Sequence, residues 1–472
     1  MIKFFIDQHG CAKNRVDGEI LATYLTGDES EYQLTMTPEE ADIIIINSCG
    51  FIKSAKEESL NALIQTKAAF PEKKVILAGC LAERYADVFS NSLTEADGIM
   101  GNGDLSKIKS VCDDVMKKSR PVEKSPQKGV SFCMRNVQFG FKGSAFVKIT
   151  EGCSNHCSFC AIPLIRGELR SREVESILEE IRKLVKEGTY EINLIGQDLA
   201  AYGTGLDDLK IRENLSKLTG CQITSKANDF FPETGITPLA ALLKLISKIE
   251  GKFIVRLLYI HPDHFNFDVL DVIKNDVRFL HYFDIPFQSG SETVLKLMNR
   301  KGSHEKYFQM ISKMRKELPD MVLRTTFMTG FPVENEKCYH ETENFLKEIS
   351  PDWSGCFDYS LEDDTPACNL RHRVSGRKAK KRAEKLCDIQ EIITSEKLTS
   401  YVGKTFDILI EEVIPAEEEN LAIGRAWFQA PEVDGAVVVR YEEEDKSRVF
   451  EGAVVQAKIL AVSGVDLDSR LV

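Results

Sequence analysis

Residues 145–163 read AFVKITEGCSNHCSFCAIP, a short β-rich run followed at once by three closely spaced cysteines. The run is typical of a buried strand, and Cys153, Cys157 and Cys160 follow it in a CxxxCxxC pattern. A cysteine cluster directly after a strand fits a loop at the carboxyl end of that strand, which is where the active sites of βα-barrels lie. This stretch therefore predicts a metal-binding loop at the mouth of a βα fold.

The number of thiols in this loop indicates the kind of metal site. A cluster of four irons normally takes four thiolates, so three thiolates leave one iron open for a substrate or cofactor. Two alternatives stay open: a structural zinc site with His156 as fourth ligand, and buried thiols that bind nothing. Because structural zinc usually takes its ligands from two pairs and no second CxxC pair is present in the sequence, the pattern favours an iron–sulfur cluster.

Six β-rich runs between residues 143 and 375 alternate with helical patterns, and the last of them is WSGCFDYS at 353–360. Six βα units predict an open or partial (β/α)6 barrel rather than a closed eight-stranded one. Residues 205–238 are too long for a simple loop within this region. We therefore expect an insertion there, of unknown role.

The segments on either side predict further domains, so the fold class is expected to be α/β and multidomain. Residues 1–115 alternate short strands with amphipathic helices, which predicts a flavodoxin-like open parallel sheet. Residues 116–142 are basic, contain Pro and Gly and lack periodicity, as linkers do. A charged helical linker is expected over 376–402, and the β-rich residues 403–472 predict a small barrel of the kind used for recognition.

The composition predicts a folded cytoplasmic protein, with 43% hydrophobic and 28% charged residues among 472. The N-terminal MIKFFIDQHGC lacks the features of a signal peptide, and no apolar run approaches the roughly 20 residues of a spanning helix, so we expect no membrane association. In the cytosol, thirteen cysteines favour metal binding or catalysis over disulfides. The net charge of −12 argues against a surface that grips nucleic acid throughout.

Three further cysteines share a structural context rather than a spacing. Cys11, Cys49 and Cys80 each come directly after a β-rich run and before a helical pattern. Because the carboxyl ends of parallel strands lie on one edge of an open sheet, we expect the three thiols to converge there and to hold a second cluster, again with one iron open. The alternative is that they are small buried residues near strand ends.

The CxxxCxxC motif, with Phe159 before its third cysteine and six βα units after it, resembles the radical S-adenosylmethionine superfamily. The resemblance implies a [4Fe-4S] cluster on this motif, whose open iron is chelated by the amino and carboxylate groups of S-adenosylmethionine. An electron from the cluster then cleaves the sulfonium and yields a 5′-deoxyadenosyl radical. The cofactor supplies the difficult chemistry and the protein, including Phe159 as an expected contact, positions it.

Five more residues are candidate contacts of that cofactor. Gly196, Gln197 and Asp198 end the second barrel strand, where members of the superfamily often hold the amino group of S-adenosylmethionine. Gln288 follows the fourth strand and Arg324 lies in the fifth, so both are expected to face the same mouth. A capping or packing role is the alternative for each of the five.

Nearly the whole chain resembles the methylthiotransferases, which combine such an N-terminal triad, a radical core and a C-terminal TRAM-like barrel. One branch, the MiaB type, modifies an adenosine of transfer RNA, and the other modifies an aspartate of small-subunit ribosomal protein S twelve. The stretches that follow the second branch are GCAKNRVDGE, NSCGFIKSAKEES, AGCLAERY, EGCSNHCSFCAIPLIRGELRSR, VRLLYIHP, YFDIPFQ and GRAWFQAPEVDG. Ser289 and Val333 depart from that branch, which usually has His and Gly there.

The resemblance implies an enzyme that inserts a methylthio group at the β-carbon of the aspartate, with two [4Fe-4S] clusters. It implies two S-adenosylmethionine molecules per product, one to methylate a sulfur species at the second cluster and one to abstract hydrogen. An electron donor and a sulfur donor are further expected partners. The alternatives are methylthiolation of transfer RNA, and a ribosome-associated iron–sulfur protein that senses redox state without catalysis.

The charge of the last domain favours a basic protein as substrate. Residues 403–472 contain 15 acidic residues and 7 Lys or Arg; the acidic ones include Glu411, Glu412, Glu417, Glu418, Glu419, Glu442, Glu443, Glu444 and Asp445. Such a surface repels a phosphate backbone and attracts a basic ribosomal protein. A solvated acidic face without a partner is the alternative.

Overall fold

Six parallel strands form the N-terminal sheet, in the order β2-β1-β3-β4-β5-β6. The computed structural model describes residues 1–27, 31–127, 129–228, 230–414 and 420–472. The elements of this domain are β1 Ile2–Gln8, α1 Ala12–Leu25, β2 Tyr32–Leu34, β3 Ile43–Ser48, α2 Lys53–Ala69, β4 Lys74–Gly79, α3 Cys80–Ser92, β5 Gly98–Met100, α4 Ile108–Met116 and β6 Val122–Glu123. Apolar clusters lie on both faces of the sheet, and the buried run Ile43–Ile46 in β3 contributes to both. The predicted open parallel sheet is confirmed.

The central domain is a second parallel sheet that stays open, in the order β16-β15-β14-β13-β10-β7. Its elements are β7 Ser144–Lys148, β8 Thr150–Glu151, α5 Ile162–Arg166, β9 Arg170–Ser171, α6 Val174–Lys186, β10 Glu191–Ile195, α7 Leu209–Thr219, β11 Ala227–Asn228, β12 Phe231–Pro232, α8 Pro238–Ile246, β13 Ile254–Leu257, α9 Asp268–Lys274, β14 Phe279–Asp284, α10 Glu292–Leu297, α11 His304–Glu317, β15 Val322–Thr329, α12 Glu336–Ile349 and β16 Trp353–Asp358. The six predicted strands are present, and the partial barrel is confirmed.

A long helix leads from the central domain to a closed five-stranded barrel, whose strand order is β17-β18-β19-β21-β20. These elements are α13 Gly376–Thr399, β17 Thr405–Ile414, β18 Asn420–Arg425, β19 Val437–Tyr441, β20 Val454–Ser463 and β21 Asp466–Leu471. The predicted C-terminal barrel is therefore confirmed. Within the ranges given above, no helix is both long and apolar enough to cross a lipid bilayer.

Two segments are more ordered than their sequences suggested. The insertion at 205–238 contains helix α7 and the short hairpin of β11 and β12, and α7 packs against α8. The basic segment 116–142 contributes strand β6 to the N-terminal sheet, and its Arg135 is buried between Glu19 and Glu180. That segment therefore attaches the N-terminal domain to the core as well as linking the two.

One face of the central sheet is covered by two other parts of the chain. Helix α1 covers one end of the sheet, where Lys148 Nζ lies 2.6 Å from Asp17 Oδ1. The loop 425–434 of the C-terminal barrel covers the other end, where Trp353 Nε1 donates a 2.8 Å hydrogen bond to the carbonyl oxygen of Phe428. Because these contacts cover the face of the sheet, a ligand site is expected at the carboxyl edge of the strands.

Candidate active site

The first cysteine loop lies at the carboxyl edge of the central sheet, after β7 and β8. Cys157 is buried, whereas Cys153 and Cys160 are partly exposed. Asn155 Nδ2 lies 3.3 Å from Cys153 Sγ, and His261 Nε2 lies 3.8 Å from Cys157 Sγ. The loop therefore presents three thiols, and the sulfur atoms of Cys153 and Cys157 have polar partners, as ligand residues of a metal site usually do.

The environment of Cys153 and Cys160 favours the neutral form of these two thiols. Burial raises the pKa of Cys153 to about 12, with Asp198 and Cys157 adding to the effect. Burial likewise raises the pKa of Cys160 to about 12, again with a contribution from Cys157. Metal binding at this loop must therefore release protons, because a thiolate is the ligand.

The second triad converges at one edge of the N-terminal sheet. Cys11 lies three residues after β1 and directly before α1. Cys49 directly follows β3, and Cys80 follows β4 as the first residue of α3. A methyl group on Gly10 would lie 2.9 Å from Cβ of Cys49, and one on Gly50 would lie 2.7 Å from the carbonyl oxygen of Cys80. The three cysteine-bearing loops are thus in direct contact, and small residues between them permit it.

Two cations act on the second triad. Arg166 Nη2 donates to Cys80 Sγ at 3.2 Å. Desolvation by the surrounding protein would raise the pKa of Cys11, although the residue is exposed at the surface. Lys13 and Arg166 outweigh this effect, so the pKa of Cys11 is lowered. Burial raises the pKa of Cys49 to about 12, and the thiols of Cys80 and Cys11 add to it. Cys11 is therefore the most readily ionised thiol of the three.

Helix α5 joins the two triads. It begins two residues after Cys160 and ends at Arg166, whose guanidinium contacts Cys80. Cys80 also packs directly against Ala161 and Ile165 of the same stretch. A single short helix thus connects one set of thiols to the other.

Arg166 also belongs to a buried ion network between the two domains. It donates to Asp17 Oδ2 at 2.7 Å and to Glu151 Oε1 at 2.6 Å. Lys148 Nζ lies 2.6 Å from Asp17 Oδ1 and 2.5 Å from Glu151 Oε2. Two cations and two carboxylates balance in charge, which offsets the cost of their desolvation. The network fixes α1 of the N-terminal domain against the first cysteine loop.

The spacing of the thiols tests which metal centre they fit. Ligands of one tetrahedral zinc ion stand about 3.8 Å apart when the Zn–S distance is about 2.3 Å. In the part of the chain that the structure describes, only Asp198, His261 and His264 bring three ligand atoms within 4.8 Å of one another. Neither thiol triad is that tight, so a single zinc ion does not fit, whereas a cluster of several irons suits wider-spaced thiolates. His156, the fourth ligand in the zinc alternative, is exposed, and its Nε2 lies 3.7 Å from Glu168 Oε1.

Three of the candidate cofactor contacts lie together at the end of β10. A methyl group on Gly196 would meet Thr150 Oγ1, so only glycine fits beside that strand. Gln197 Nε2 donates to Glu151 at 3.3 Å, while its Oε1 and Thr150 Oγ1 are buried without a hydrogen-bond partner. Asp198 accepts from Asn155 Nδ2 at 2.9 Å. The two unpartnered oxygens are available to a ligand that carries hydrogen-bond donors.

The other three candidates lie in different surroundings. Gln288 is buried at the same mouth, with a left-handed φ of 71°. Phe159 packs on a small apolar cluster of the core. Arg324 is engaged by two carboxylates, Asp284 at 3.2 Å and Asp434 of the C-terminal barrel at 3.3 Å. Arg324 therefore joins the barrel to the core, a contact that its place in a strand did not indicate.

A cavity of about 390 Å³ opens beside the first triad. Its lining includes Cys153, Asp198 and His261 from the core. Gly205 and Leu206 from the start of the insertion complete part of its rim, and Leu206 is 98% exposed. The insertion therefore borders the entrance to the site.

Lys13 and Arg166 are among the residues of the site that were not predicted from the sequence. Each is buried and contacts a group far away along the chain, Lys13 the carbonyl oxygen of Gly196 and Arg166 the sulfur of Cys80. In the sequence, only their positions next to the cysteine motifs, in GCAKN and IPLIRG, set these two residues apart from other basic residues. A single Lys or Arg carries no spacing pattern that would separate it from a solvated one.

The fold and the site define a radical S-adenosylmethionine protein. The family models that match are the radical SAM superfamily over residues 147–346, the uncharacterized protein family UPF0004 over 3–101 and the TRAM domain over 402–472. The radical S-adenosylmethionine methyltransferase TsrM of Kitasatospora setae has a similar fold, with a TM-score of 0.52 and 12% identity, covering 78% of this chain and 74% of that one.

The relatives of this chain identify its family within the radical S-adenosylmethionine class. The ribosomal protein uS12 methylthiotransferase RimO of Treponema denticola is 47% identical, over 98% of this chain and 99% of its own length. The RimO protein of Desulfitobacterium hafniense is 35% identical, over 98% and 97%. The chain belongs to the RimO family of methylthiotransferases, which confirms the resemblance seen in the motifs.

Proposed function

We propose that this chain inserts a methylthio group at the β-carbon of an aspartate of ribosomal protein uS12. The observation that carries the proposal is the pairing of two thiol triads through helix α5, in a chain of the radical S-adenosylmethionine class. The substrate is supported by the relatives, which are named for uS12. We further propose that the reaction takes place in the cytoplasm.

The first triad is proposed to hold a [4Fe-4S] cluster with S-adenosylmethionine at its open iron. When bound, this pair supplies the radical that removes hydrogen from the substrate carbon. Asn155 keeps the Cys153 sulfur in place and is itself held by Asp198. The unpartnered Oε1 of Gln197 and Oγ1 of Thr150 are the acceptors available to the donors of the cofactor.

The second triad is proposed to hold another [4Fe-4S] cluster, which carries the sulfur to be methylated and transferred. Arg166 donates to Cys80 and stabilises its thiolate. Because methylation and hydrogen abstraction are separate steps, the proposal includes two S-adenosylmethionine molecules per product. An electron donor and a sulfur donor complete the set of partners.

The acidic C-terminal barrel is proposed to attract the basic substrate. Glu442 and Glu443 are exposed there, with side-chain exposures of 68% and 72%. Glu411 does not contribute, since it is buried beside Arg425. The residues Glu417, Glu418 and Glu419 lie outside the described residues. The attractive surface is therefore smaller than the sequence count suggested.

The proposal is tested by offering the enzyme both substrates of the wider family. Protein reconstituted without air with iron and sulfide is given S-adenosylmethionine, reductant and either uS12 or transfer RNA. Mass spectrometry is expected to find one added methylthio group on an aspartate of uS12 and none on transfer RNA. Modification of transfer RNA alone would contradict the substrate. Absence of 5′-deoxyadenosine in all samples would favour a redox sensor instead.

The division of labour between the triads is tested by two cysteine variants. Wild-type protein is expected to contain about eight irons and each variant about four, since each loses one cluster. Cys153→Ala should abolish 5′-deoxyadenosine formation, because it removes a ligand of the first cluster. Cys49→Ala should still form 5′-deoxyadenosine but transfer no sulfur. Identical behaviour of the two variants would refute the assignment.

A further inference from the structure

Lys13 places a buried ammonium where the N-terminal domain meets the central domain, between the two triads. It lies in the first turn of α1, two residues after Cys11, and is 8% exposed. Its Nζ donates a 3.0 Å hydrogen bond to the carbonyl oxygen of Gly196 and lies 3.4 Å from the ring centroid of Tyr259. Gly196 and Tyr259 follow β10 and β13, so the N-terminal domain projects this cation into the mouth of the central sheet.

This side chain has no carboxylate partner in the described part of the chain, and the group of opposite charge that acts on it most is the thiol of Cys11, two residues before it. Among the described residues, no carboxylate lies within 4.0 Å of Lys13 Nζ; its close contacts are a neutral carbonyl and an aromatic ring. The nearby carboxylates form ion pairs with other cations: Asp284 pairs with Arg324, and Glu151 pairs with Arg166. An ammonium carries three donors and Lys13 uses one of them on Gly196, so the others are available to an anion that enters the mouth.

Other buried cations of the site have their partners in place. Lys148 and Arg166 each contact two carboxylates. Arg300 has no carboxylate partner, but it faces the thiol of Cys157. Arg166 already donates to a thiol of the second triad, whereas Lys13 makes no hydrogen bond to a sulfur atom within the described ranges. The anion that suits Lys13 is therefore one that enters the mouth from outside.

We propose that Lys13 binds the side-chain carboxylate of the aspartate that the enzyme modifies. This inference rests on the proposed function, which brings an aspartate side chain to this mouth. A carboxylate paired with Lys13 would sit next to Cys11 and to the end of β10, so its neighbouring β-carbon would lie between the two triads. The same contact makes the site selective, because an asparagine side chain carries no charge to pair with the ammonium.

The test measures binding of two forms of the substrate to two forms of the enzyme. Anaerobic reconstituted enzyme is titrated with fluorescently labelled uS12, and with uS12 in which the modified aspartate, located by mass spectrometry, is changed to asparagine. Wild-type enzyme should bind the aspartate form roughly 10- to 100-fold more tightly, the range for hydrogen bonds to charged groups. Lys13→Met should bind both forms equally and weakly, and Lys109→Met, at an exposed position of α4, should behave as wild type.

Two outcomes would contradict the inference and leave the proposed function intact. Equal binding of the two substrate forms by wild-type enzyme would do so, and this comparison does not depend on how well a variant folds. A Lys13→Met enzyme that keeps its full iron content and its preference for aspartate would also do so. In both cases wild-type enzyme still adds the methylthio group to uS12. By contrast, failure of wild-type enzyme to bind or modify uS12 removes the proposed function and the inference together.

Discussion

At the scale of single residues, Arg166 is the side chain that relates the two triads to each other. Its guanidinium contacts Asp17 of α1, Glu151 of β8 and the sulfur of Cys80. These groups come from three separate parts of the chain. One side chain therefore holds a domain interface and a thiol at the same time, and arginine suits this role because its planar fork offers several donors.

Replacing Arg166 by glutamine should destabilise the protein before any cofactor is considered. The change leaves Asp17 and Glu151 sharing only Lys148, and breaking a buried ion network by removing one partner costs about 3–5 kcal/mol. The free energy of unfolding is measured by urea denaturation of the metal-free protein. Arg377→Gln, at an exposed position of α13, is the control and should change little. Equal stability of the two variants would show that the network contributes nothing.

The sequence predicted that the six cysteines lie at strand ends, but it indicated neither Lys13 nor Arg166. The cysteines were found because each follows a β-rich run, and strand ends of a parallel sheet share an edge whatever the details of the loops. Lys13 and Arg166 act through partners more than 80 positions away. Only the packing of one domain on the other brings such pairs together, and no periodicity records it.

At the scale of elements, the loops after β1, β3 and β4 depend on close approach. The Cβ position of Gly50 lies 2.7 Å from the carbonyl oxygen of Cys80, so any side chain there must displace backbone that carries a thiol. The strands and helices were predictable from hydrophobic runs, and the convergence of the three cysteines was predicted from their places at strand ends. The close contact between the loops was not, because it depends on the tilt of each strand within the sheet.

Gly50→Ala should therefore impair the second triad selectively. The added methyl group moves the Cys80 backbone away from the other two loops, whereas the first triad lies on a different sheet. Iron content after reconstitution is expected to fall from about eight to about four per chain, with 5′-deoxyadenosine formation retained. Gly376→Ala, where no atom lies within 4 Å of the new methyl group, is the matched control. Full iron content in both variants would contradict this account.

Strand β10 is joined to the C-terminal barrel by a second buried ion pair. Burial alone would raise the pKa of Glu191, but Arg425 and Arg256 hold it well below its usual range. Arg425 Nη2 lies 2.7 Å from Glu191 Oε2, and Arg256 Nη2 lies 2.9 Å from Oε1. A carboxylate with a lowered pKa stabilises the folded state above its ordinary pKa, and this contribution is lost as the pH falls below that value.

Acid should therefore weaken the attachment of the barrel through Glu191. The chain has two tryptophans, and both Trp353 and Trp427 lie at this interface, so intrinsic fluorescence during denaturation reports on it. Glu191→Gln should be less stable than wild type at pH 7, and the difference should shrink as the pH falls below about 4.5. Glu451→Gln, on the barrel surface, should show no such pH-dependent difference. A constant difference from pH 7 to pH 3 would refute the assignment.

At the scale of the whole molecule, the proposed capture of a basic partner depends on how many acidic groups of the C-terminal barrel remain unpaired. Several of its acidic groups are neutralised locally: Glu442 pairs with Arg470 and Glu443 with Lys446. Local pairs reduce the short-range field, but the net charge of the domain still acts at longer range. Composition therefore gave the sign of this field correctly, while the pairing that limits its strength required the structure.

Reversing two charges on the barrel should slow the capture of uS12. The double variant Glu443→Lys and Glu444→Lys is expected to lower the association rate constant about tenfold at low salt, since electrostatic steering acts on association. The effect should fade at high salt, because screening shortens the range of the field. Stopped-flow binding measures it. Glu57→Lys with Glu72→Lys, on the N-terminal domain, makes the same change in net charge and should have a smaller effect. Equal effects would show that total charge alone matters.

Helix α5 has a consequence for how the substrate must be presented. Five residues of helix and a buried ion network join the two cysteine loops, so packing sets the distance between the two triads. A substrate side chain that reacts at this mouth must therefore reach both loops at that one separation.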